Sequence, residues 1–570
     1  MTKKIIGVLL ALCALTTSYA QDNNRHNFDV TKNLEVFNTV YKYLDMMYVD
    51  TLNANEVVRY GLGAMLNSLD PYTVYYPADD TKELDLMLTG RYGGIGAIIR
   101  YDLVRKTVVI DEPYEDTPAA KAGLRKGDVI VSIDDSTMTG KPAAYVSSHL
   151  RGDAGSTFEI KIMRPSTGKT FRKIITREQI QQPAVAYYGV QPGGIGYLCL
   201  TSYTENCARD VRRAVLDMKH QGMKSLVLDL RGNGGGSVQE AISIVNMFVP
   251  KGETILTMKG KIKQANREFT TKVEPIDTVM PIVVLVNDQT ASASEITCGS
   301  LQDLDRAVVM GTRTFGKGLV QSTFDLPYNG VIKLTTSKYY IPSGRCIQAI
   351  NYRHGRGGYT EHIPDSLTHT FTTRHGRIVR DGGGIKPDIE VLPDSLPNIA
   401  FYLASTGLDS TEAMLNWEVK YLKEHKTIAP AATFELSDAD YEDFKAFVIQ
   451  SGFKYDRESE KQLKNLVKLA KFEGYYDDAR AEFDALEQRL NHNLAKDLDH
   501  NKEVIKAILA GDIVAAYYFQ RGSVETSCST TSSGRRRSNC STTWIATSGR
   551  SSLRPRRRRP RPRGRPPRRR

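Results

Sequence analysis

The spacing of apolar residues divides the chain into regions of different secondary structure. Apolar side chains recur at helical spacing through residues 28–90, and one helix is expected from Ala54 to Leu69, before Asp70-Pro71. Residues 91–175 change to short β-branched runs separated by glycine turns, a pattern typical of a small β-barrel with one or two helices. The sequence therefore predicts a helical N-terminal region followed by a β-rich domain.

Residues 185–395 alternate strands with helices. Ser225–Leu230 and Pro281–Asn287 are almost continuous apolar runs, each followed by a turn and a helix, as expected for strands covered on both faces. A hairpin is expected further on, with Asn329-Gly330 as its tight turn before the strand Val331–Tyr340. These features predict an α/β domain with a mixed sheet.

Residues 396–522 return to a helical pattern. Ser437 and Asp440 form a variant of the capping box at the start of one helix. The stretch Glu458–Leu490 is predicted to be a long amphipathic helix with a solvated, charged face. The fold class expected for the whole chain is therefore α/β multidomain, with helical N- and C-terminal regions.

Residues 1–20 have the pattern of a secretory signal peptide. Two lysines precede an apolar stretch from Ile5 to Leu15, and Ser18-Tyr19-Ala20 offers a site for cleavage after Ala20. An uncleaved anchor stays open, as does lipid attachment at Cys13, although Leu12 fits a lipobox poorly. We expect an exported protein of the periplasm or cell envelope, with membrane association left open.

The net charge of +12 is concentrated at the C-terminal end of the chain. Residues 523–570 hold 15 arginines and one acidic residue, whereas the rest of the chain holds 62 basic and 64 acidic residues. The part expected to fold is therefore near neutral and gives no sign of a nucleic-acid partner. For the Arg-, Ser- and Pro-rich end, three interpretations stay open: a frameshift or assembly error, a disordered tail, and a polyanion-binding arm.

A serine stands at a strand-to-helix turn within the α/β region. The strand that begins at Pro281 is followed by Gln289-Thr290-Ala291, and Ser292 then opens a helix. Such a serine has an exposed oxygen beside free backbone amides, which suits a nucleophile, although a plain helix cap gives the same pattern. Residues 281–321 contain no histidine, so a Ser-His-Asp triad is not indicated.

Lys317 lies between two glycines shortly after this serine. A lysine can act as the base if burial lowers its pKa towards neutrality, although an exposed loop lysine would have the same sequence. The segment from Gly311 is nearly a phosphate-binding loop, but Gly318 stands where Ser or Thr is needed, and Leu319–Phe324 is predicted to be a strand. Nucleotide binding is therefore disfavoured.

A glycine-rich turn follows the strand that ends at Leu230. The free amides of Gly232-Asn233-Gly234-Gly235-Gly236 could bind an anion, either a dinucleotide pyrophosphate or the oxyanion of an acyl transfer. The dinucleotide fingerprint fits poorly because Ser237 stands where a third Gly or Ala is needed. A purely structural turn also stays open.

Together these motifs resemble the C-terminal processing peptidases, or tail-specific proteases, which are Ser/Lys serine peptidases with an inserted PDZ domain. The resemblance covers roughly residues 35–395. Beside the serine, lysine and glycine motifs, it includes four further segments: Leu69-Asp70-Pro71, Ala122-Gly123-Leu124, Tyr339–Arg345 and Gly384–Asp388. It implies a PDZ domain over residues 91–175 and a protease core over residues 176–395.

Carried over residue by residue, the resemblance implies that Ser292 is the nucleophile, Lys317 the general base and Gln321 the residue that orients the base. Further residues would form the oxyanion hole or match supporting positions of some family members: Ala293 with Gly235 or Gly236 for the hole, and Glu295, Asp303 and Thr314 for support. The chemistry implied is hydrolysis through an acyl-enzyme, without a metal or cofactor.

The implied PDZ domain would select the substrate. Such domains add an extended peptide as a strand and hold its terminal carboxylate in a backbone nest, here the loop Gly94-Ile95-Gly96-Ala97. The expected activity is endoproteolysis of proteins near or from loose, apolar C-termini. The competing hypothesis is a catalytically silent PDZ scaffold or carrier on the same fold. A homo-oligomer or an adaptor protein is left open as a partner.

Overall fold

The computed structural model describes residues 2–351, 361–392, 396–405, 408–409, 411–490 and 493–529. The described residues form two compact units. One contains residues 2–78 and 322–335, and the other contains residues 79–321, 336–351 and those from 361 onward. The smaller unit is mainly helical, whereas the larger one contains both the β-rich domain and the central sheet.

The N-terminal region is helical as predicted, with one short strand. Its elements in chain order are α1 (Thr2–Met47), α2 (Ala54–Asn67) and β1 (Val74–Tyr76). Asn53 caps α2 by accepting hydrogen bonds from two amides of the first turn. After the helix, the Asp70 side chain accepts hydrogen bonds from the amides of Tyr72 and Thr73, both at 2.8 Å, which explains the break at Asp70-Pro71.

The first helix includes the segment predicted to be a secretory signal. Within the described part of the chain, no helix is long and apolar enough to cross a membrane. The export prediction for residues 1–20 remains a prediction.

A β-rich domain follows, entered through α3 (Thr81–Thr89). Its elements are β2 (Arg91–Gly94), β3 (Ala97–Asp102), β4 (Thr107–Pro113), α4 (Pro118–Lys121), β5 (Val129–Ile133), β6 (Ser136–Thr137), α5 (Ala143–Leu150), β7 (Thr157–Arg164), β8 (Lys169–Thr176) and β9 (Glu178–Gln181). The main antiparallel sheet has the order β3-β4-β5-β7-β8, and β2 pairs with β9. Apolar side chains of the sheet and of α5 form a core separate from that of the central sheet.

The α/β region contains the central sheet together with further strands and helices. Its strands are β10 (Val185–Gln191), β11 (Ile195–Leu200), β12 (Ser225–Asp229), β13 (Thr254–Gly260), β14 (Arg267–Thr270), β15 (Ile282–Val286), β16 (Val308–Gly311), β17 (Leu319–Asp325), β18 (Val331–Tyr340), β19 (Ile350–Asn351), β20 (Glu361–His362), β21 (Thr370–Thr372), β22 (Ile378–Arg380) and β23 (Ile389–Glu390). Its helices are α6 (Cys207–His220), α7 (Val238–Asn246) and α8 (Ala293–Asp303).

The central sheet has the order β10-β11-β12-β15-β16-β23, in which β10 and β11 are antiparallel and all other neighbouring strands are parallel. β12 and β15 have one face buried and the other half-buried, so neither strand has an exposed face. This pattern explains their continuous apolar sequences. Because β12 and β15 are parallel neighbours, the glycine turn and the Ser292 turn meet at the same edge of the sheet.

The hairpin turn before β18 differs from the prediction. The positive φ angles that a tight hairpin turn requires lie at Tyr328 (61°) and Asn329 (59°), one position earlier than expected. Gly330 instead has φ −75°, and its carbonyl accepts a hydrogen bond from the Leu326 amide at 2.8 Å. The strand that follows has the predicted bounds. Asn-Gly was therefore a correct signal for the hairpin but not for the exact residues of its turn.

The C-terminal region is helical. Its elements are α9 (Asn398–Ala404), α10 (Ala413–Glu424), α11 (Asp438–Gln450), α12 (Glu458–Glu473), α13 (Arg480–Leu490), α14 (Leu494–His500) and α15 (Lys502–Ser529). The capping box of Ser437 and Asp440 is present at the start of α11. The predicted single helix over residues 458–490 is in fact two helices, because Gly474 adopts φ 83° and ends the first of them.

The last helix extends beyond the predicted boundary at residue 522. It ends at Ser529, and the side chains of Val524 and Thr526 are buried. The Thr526 hydroxyl donates to the carbonyl of Ala431 at 2.7 Å. The start of the segment predicted to be an Arg/Ser/Pro-rich tail therefore belongs to the helical region, and residues 530–570 lie outside the described residues.

Candidate active site

The turn between β15 and α8 presents Ser292. Ser292 is the N-cap residue of α8 and has φ 57° and ψ −116°, a conformation that non-glycine residues rarely adopt. A sharp strand-to-helix turn of this kind exposes the side chain at its apex and is typical of nucleophilic serines. Ser292 is half-buried, whereas every residue of α8 is buried. The Ser292 side chain is thus the accessible group at this end of the helix.

The second serine of the motif has a structural role. Ser294 is fully buried, and its hydroxyl donates to the main-chain oxygen of Asn233 at 3.0 Å. The same oxygen accepts a hydrogen bond from the Ala291 amide, also at 3.0 Å. Asn233 therefore joins the glycine turn to the Ser292 turn. In the sequence, Asn233 is marked only by its place within the glycine run.

Glu295 connects the serine turn to the segment that carries Lys317. Its Oε2 accepts hydrogen bonds from the amides of both Ser292 and Lys317, each at 2.9 Å. Its Oε1 accepts hydrogen bonds from the Gly316 amide at 2.7 Å and from the Thr314 hydroxyl at 2.5 Å. Because both amides donate to one oxygen, the distance between the main-chain nitrogens of Ser292 and Lys317 cannot exceed the summed length of these two hydrogen bonds.

Burial raises the pKa of the Glu295 carboxyl group. The side chain is fully buried, and this desolvation raises the pKa of the carboxyl group from its ordinary value of 4.5 to about 7. The four hydrogen bonds oppose the rise because they favour the charged form. The ionised carboxylate can accept from all four donors, whereas the protonated form has one acceptor position fewer.

Lys317 is flanked by two glycines that have no room for a side chain. Gly316 has φ 87°, and a Cβ at this position would lie 2.1 Å from the Cβ of Ala349. A Cβ on Gly318 would lie 2.8 Å from the amide nitrogen of Gln348. Both glycines thus permit a close approach that other residues would block. Lys317 is half-buried, as is Gln321 in the following strand β17.

The glycine turn lies directly against Ser292. A Cβ on Gly235 would lie 2.8 Å from the Cβ of Ser292 and 2.8 Å from the amide nitrogen of Ala293. The Gly235 amide already donates to the Asn233 side chain at 2.9 Å. Within the described chain, the amides of Gly236 and Ala293 donate to no other residue. Of the predicted oxyanion-hole residues, Gly236 and Ala293 therefore keep their amides available, and Gly235 provides the close contact.

The two remaining supporting residues occupy different places. Thr314 is buried beside Glu295, and its hydroxyl accepts a hydrogen bond from the Ile385 amide at 2.7 Å. Asp303 is the last residue of α8, at the opposite end of the helix from Ser292. It forms a buried ion pair with Arg345 at 2.8 Å. Asp303 therefore anchors the segment after β18 and does not contact the Ser292 turn.

The predicted peptide-binding loop joins β2 to β3 in the β-rich domain. Ile95 is buried, and the carbonyls of Ile95 and Gly96 accept hydrogen bonds from the amides of Ala119 and Tyr114, both at 2.8 Å. Gly94 and Ala97 belong to the strands on either side. β3 is an edge strand with α5 packed beside it, and among the described strands none pairs with its outer edge. An extended peptide could add to this edge.

Potential metal ligands do not cluster in the described residues. No group of three or more His, Cys, Asp or Glu side chains there is arranged to hold a metal ion. Cys199, Cys207 and Cys298 are buried free thiols.

Three family models match successive parts of the chain. Peptidase family S41 matches residues 194–357, the PDZ domain matches residues 109–164, and "Probable PDZ-protease, C-terminal helical domain" matches residues 404–532. The first two matches lie within the regions predicted for the protease core and the PDZ domain. The third extends past residue 522, in agreement with the observed length of α15.

Curated relatives match more than half of the chain. A carboxy-terminal-processing protease of Bartonella bacilliformis is 35% identical over 360 residues, which span 61% of this chain and 81% of the relative. A "Probable CtpA-like serine protease" of Staphylococcus epidermidis is 30% identical over 361 residues, spanning 62% of this chain and 70% of the relative. A photosystem II D1 C-terminal processing protease of known structure is 27% identical, with a TM-score of 0.34, over 63% of this chain and 93% of that one. The family models and the curated relatives show that the chain belongs to peptidase family S41, among the carboxy-terminal-processing proteases that carry a PDZ domain.

Proposed function

We propose that this peptidase is an exported serine endopeptidase that cleaves proteins near or from their C-termini, with Ser292 as nucleophile and Lys317 as general base. The observation that carries the proposal is the shared carboxylate oxygen of Glu295, which receives the amides of both residues at 2.9 Å. The strained and accessible conformation of Ser292 supports its role further. No comparable arrangement surrounds Ser294, which is buried and donates to the main chain.

The proposed reaction proceeds through an acyl-enzyme. The neutral Lys317 amine takes the proton of the Ser292 hydroxyl while the serine oxygen bonds to the substrate carbonyl carbon. The resulting ammonium group then protonates the leaving amine as the peptide C–N bond breaks. In the second half Lys317 takes a proton from water, whose oxygen attacks the ester, and returns that proton to Ser292. Gln321 would orient the lysine side chain from the adjoining strand.

The negative oxygen of the tetrahedral intermediate needs hydrogen-bond donors. The amides of Gly236 and Ala293 are the proposed donors, because they have no acceptor among the described residues; Ala293 follows Ser292 in the chain, and Gly236 follows Gly235, which contacts Ser292. Gly235 contributes by letting the glycine turn approach the serine closely. A side chain at position 235 would therefore disturb the hole without removing a donor.

The PDZ domain is proposed to select substrates by their C-termini. The edge strand β3 and the loop Gly94–Ala97 would bind an apolar, loosely structured C-terminal segment. Replacing the last residues of a substrate with aspartates should raise KM without changing its cleavage at saturating concentration. An equal KM for both substrates would contradict selection by this groove.

Export is proposed from the first twenty residues. If they are a cleaved signal, the mature protein recovered from the producing cell should begin at Gln21, and intact mass spectrometry would detect this. A mature chain that retains residues 1–20 would point to the uncleaved anchor, and a mass increase at Cys13 to the lipoprotein.

The catalytic proposal is tested with the full chain and a loosely folded protein that has an apolar C-terminus. Products are identified by mass spectrometry for wild type, Ser292→Ala, Lys317→Ala and the control Lys251→Ala, which changes an exposed lysine. Both active-site variants should lose activity by about 10³-fold or more, and the control should match wild type.

Each alternative gives a different result in this test. Cleavage by Lys317→Ala at the wild-type rate would eliminate Lys317 as the base. Absence of cleavage by wild type, together with no labelling of Ser292 by a fluorophosphonate, would favour the catalytically silent PDZ scaffold. Labelling without cleavage would indicate an active serine with a different substrate preference.

A further inference from the structure

Tyr339 contacts both proposed catalytic residues through its hydroxyl group. The residue lies in β18 and is 1% exposed. Its hydroxyl donates to the main-chain oxygen of Lys317 at 2.5 Å and lies 3.3 Å from the main-chain oxygen of Ser292. The shorter contact is the stronger bond, and the longer one completes a three-centre arrangement with the single hydroxyl proton.

Tyr339 and Glu295 contact the main chains of the same two residues, one through their carbonyls and the other through their amides. The carboxylate oxygen Oε2 receives the amides of Ser292 and Lys317, and the Tyr339 hydroxyl faces the carbonyls of the same two residues. The amides of Ser292 and Lys317 therefore share Glu295 as a partner, and the carbonyls of the same two residues share Tyr339. Two segments that are far apart in sequence are joined by an acceptor and by a donor.

We propose that Tyr339 is a positioning residue for the reaction. Its hydroxyl fixes the Lys317 main chain relative to Ser292, and thereby sets the distance and angle at which the lysine amine meets the serine oxygen. This inference rests on the proposed roles of Ser292 and Lys317. It adds a residue that neither the sequence motifs of the nucleophile nor those of the base contain.

The need for such a contact follows from the two turns that it joins. Ser292 has a strained main chain, and Lys317 is flanked by glycines, which restrict the backbone less than other residues do. Neither turn would hold its geometry from local preferences alone. The Ser292 carbonyl also accepts the Ile296 amide at 2.9 Å, which belongs to the helix and does not reach Lys317.

A main-chain hydrogen bond also holds β18 beside the Lys317 segment. The Tyr339 amide donates to the Gly318 carbonyl at 3.0 Å, so the strand is hydrogen-bonded to the residue that follows Lys317. Tyr339 faces inward, whereas the neighbouring Tyr340 is half-buried and has the amine of Lys259 at 4.6 Å from its ring centre. Tyr340 offers the same hydroxyl group on the opposite face and serves as a matched control.

The test compares Tyr339→Phe with Tyr340→Phe in the full chain. A phenylalanine ring in place of Tyr339 should keep the packing of the buried aromatic group, so only the hydroxyl is lost. We expect kcat of Tyr339→Phe to fall about 10- to 100-fold with KM changed less than about twofold, because misalignment of reacting groups slows chemistry more than binding. The rate of Ser292 labelling by a fluorophosphonate should fall in parallel, and its pH midpoint should shift. Tyr340→Phe should match wild type in all three measurements.

Three outcomes would decide against the inference. A Tyr339→Phe variant with wild-type kcat and an unchanged pH profile, measured beside an inactive Lys317→Ala, would overturn it while leaving the proposed function intact. A kcat that recovers fully when the assay is run well below the variant's melting temperature would show a role in stability only. If Lys317→Ala itself cleaves at the wild-type rate, the proposed function fails, and with it the assignment of Tyr339.

Discussion

Two carboxyl groups in different regions, Glu295 at the candidate active site and Glu112 in the PDZ domain, both have a pKa raised to about 7. Burial is the main cause in each case, but the surroundings differ. The groups that lower the pKa of Glu295 are uncharged hydrogen-bond donors. At Glu112 the raising effect of Asp111 and the lowering effect of Lys126 follow burial in importance. One carboxyl group is thus set among backbone dipoles and the other among charged side chains.

Glu112 belongs to the contact between the PDZ domain and the C-terminal helices. Its Oε1 accepts the Gln520 amide at 2.8 Å, beside Phe519, where φ 57° interrupts α15. Two ion pairs with little solvent exposure cross the same contact: Arg100 with Glu412 at 2.8 Å, and Lys126 with Glu418 at 3.0 Å. Apolar side chains of both regions pack between them, namely Val109, Val129, Leu415 and Val419.

Buried charged groups have different roles at the candidate active site and at the domain contact. Around Glu295 the donors are mostly main-chain amides, so the carboxylate fixes the geometry of the chain at Ser292 and Lys317. At the domain contact beside Glu112, ion pairs join side chains of the PDZ domain to side chains of the C-terminal helices, so buried charge there holds one region against the other. We therefore expect changes at Glu295 to affect chemistry and changes at the domain contact to affect stability.

The largest effect on stability is expected from Lys126→Ala. Removing one partner of the buried Lys126–Glu418 pair should lower the free energy of unfolding by about 3–5 kcal/mol, because the remaining charge loses its counterion. Denaturant titration measures this, and the double variant Lys126→Met, Glu418→Leu should recover most of the loss. Lys420→Ala breaks a much more exposed pair with Asp443 and should cost less than about 1 kcal/mol. Equal costs for Lys126→Ala and Lys420→Ala would contradict the comparison.

The second expected effect is on catalytic activity, which should depend on Glu295 and not on Glu112. Glu295→Gln should lower the rate of hydrolysis of a small activated ester by about 10²- to 10³-fold, because an amide NH₂ group replaces one acceptor oxygen among four donors. A small ester does not need the PDZ domain, so Glu112→Gln should leave its hydrolysis unchanged. If both variants lose the same activity, Glu295 does not act through the geometry of the site.

A smaller effect concerns the dependence of stability on pH. The folded pKa of Glu295 lies above its ordinary value of 4.5, so the native state holds this proton more tightly than the unfolded chain. The stabilisation is full below about pH 4.5 and is lost as pH rises through about 7. The loss amounts to about 3 kcal/mol.

Hydrogen exchange of the α8 amides at pH 5 and pH 8 would measure this loss in the core. Glu295→Gln should flatten the dependence there. Glu112→Gln should leave the exchange of α8 nearly as in wild type, because Glu112 contacts other elements and keeps some exposure to solvent. A wild-type slope in Glu295→Gln would contradict the raised pKa.

Much of the fold could be predicted from local sequence. The apolar runs of β12 and β15, the Ser437 cap and the break at Asp70-Pro71 are encoded within a few residues of where they occur. The hairpin turn was placed one position too late, because Asn329 and Gly330 both satisfy the same turn preference, and the break at Gly474 was not predicted. The end of the C-terminal helices was missed because burial of Val524 and Thr526 depends on distant neighbours.

The sequence by itself determined which segments become strands and helices, which turns require glycine, and which serine and lysine are the candidates for chemistry. Only the tertiary structure decided which groups meet. Glu295 and Tyr339 join the Ser292 and Lys317 main chains, Asn233 joins the two turns, and Glu112 reaches an amide in α15. The reason is physical: the period of apolar residues along a chain records which face of an element is buried, whereas the partner on that face depends on how elements distant in sequence pack together.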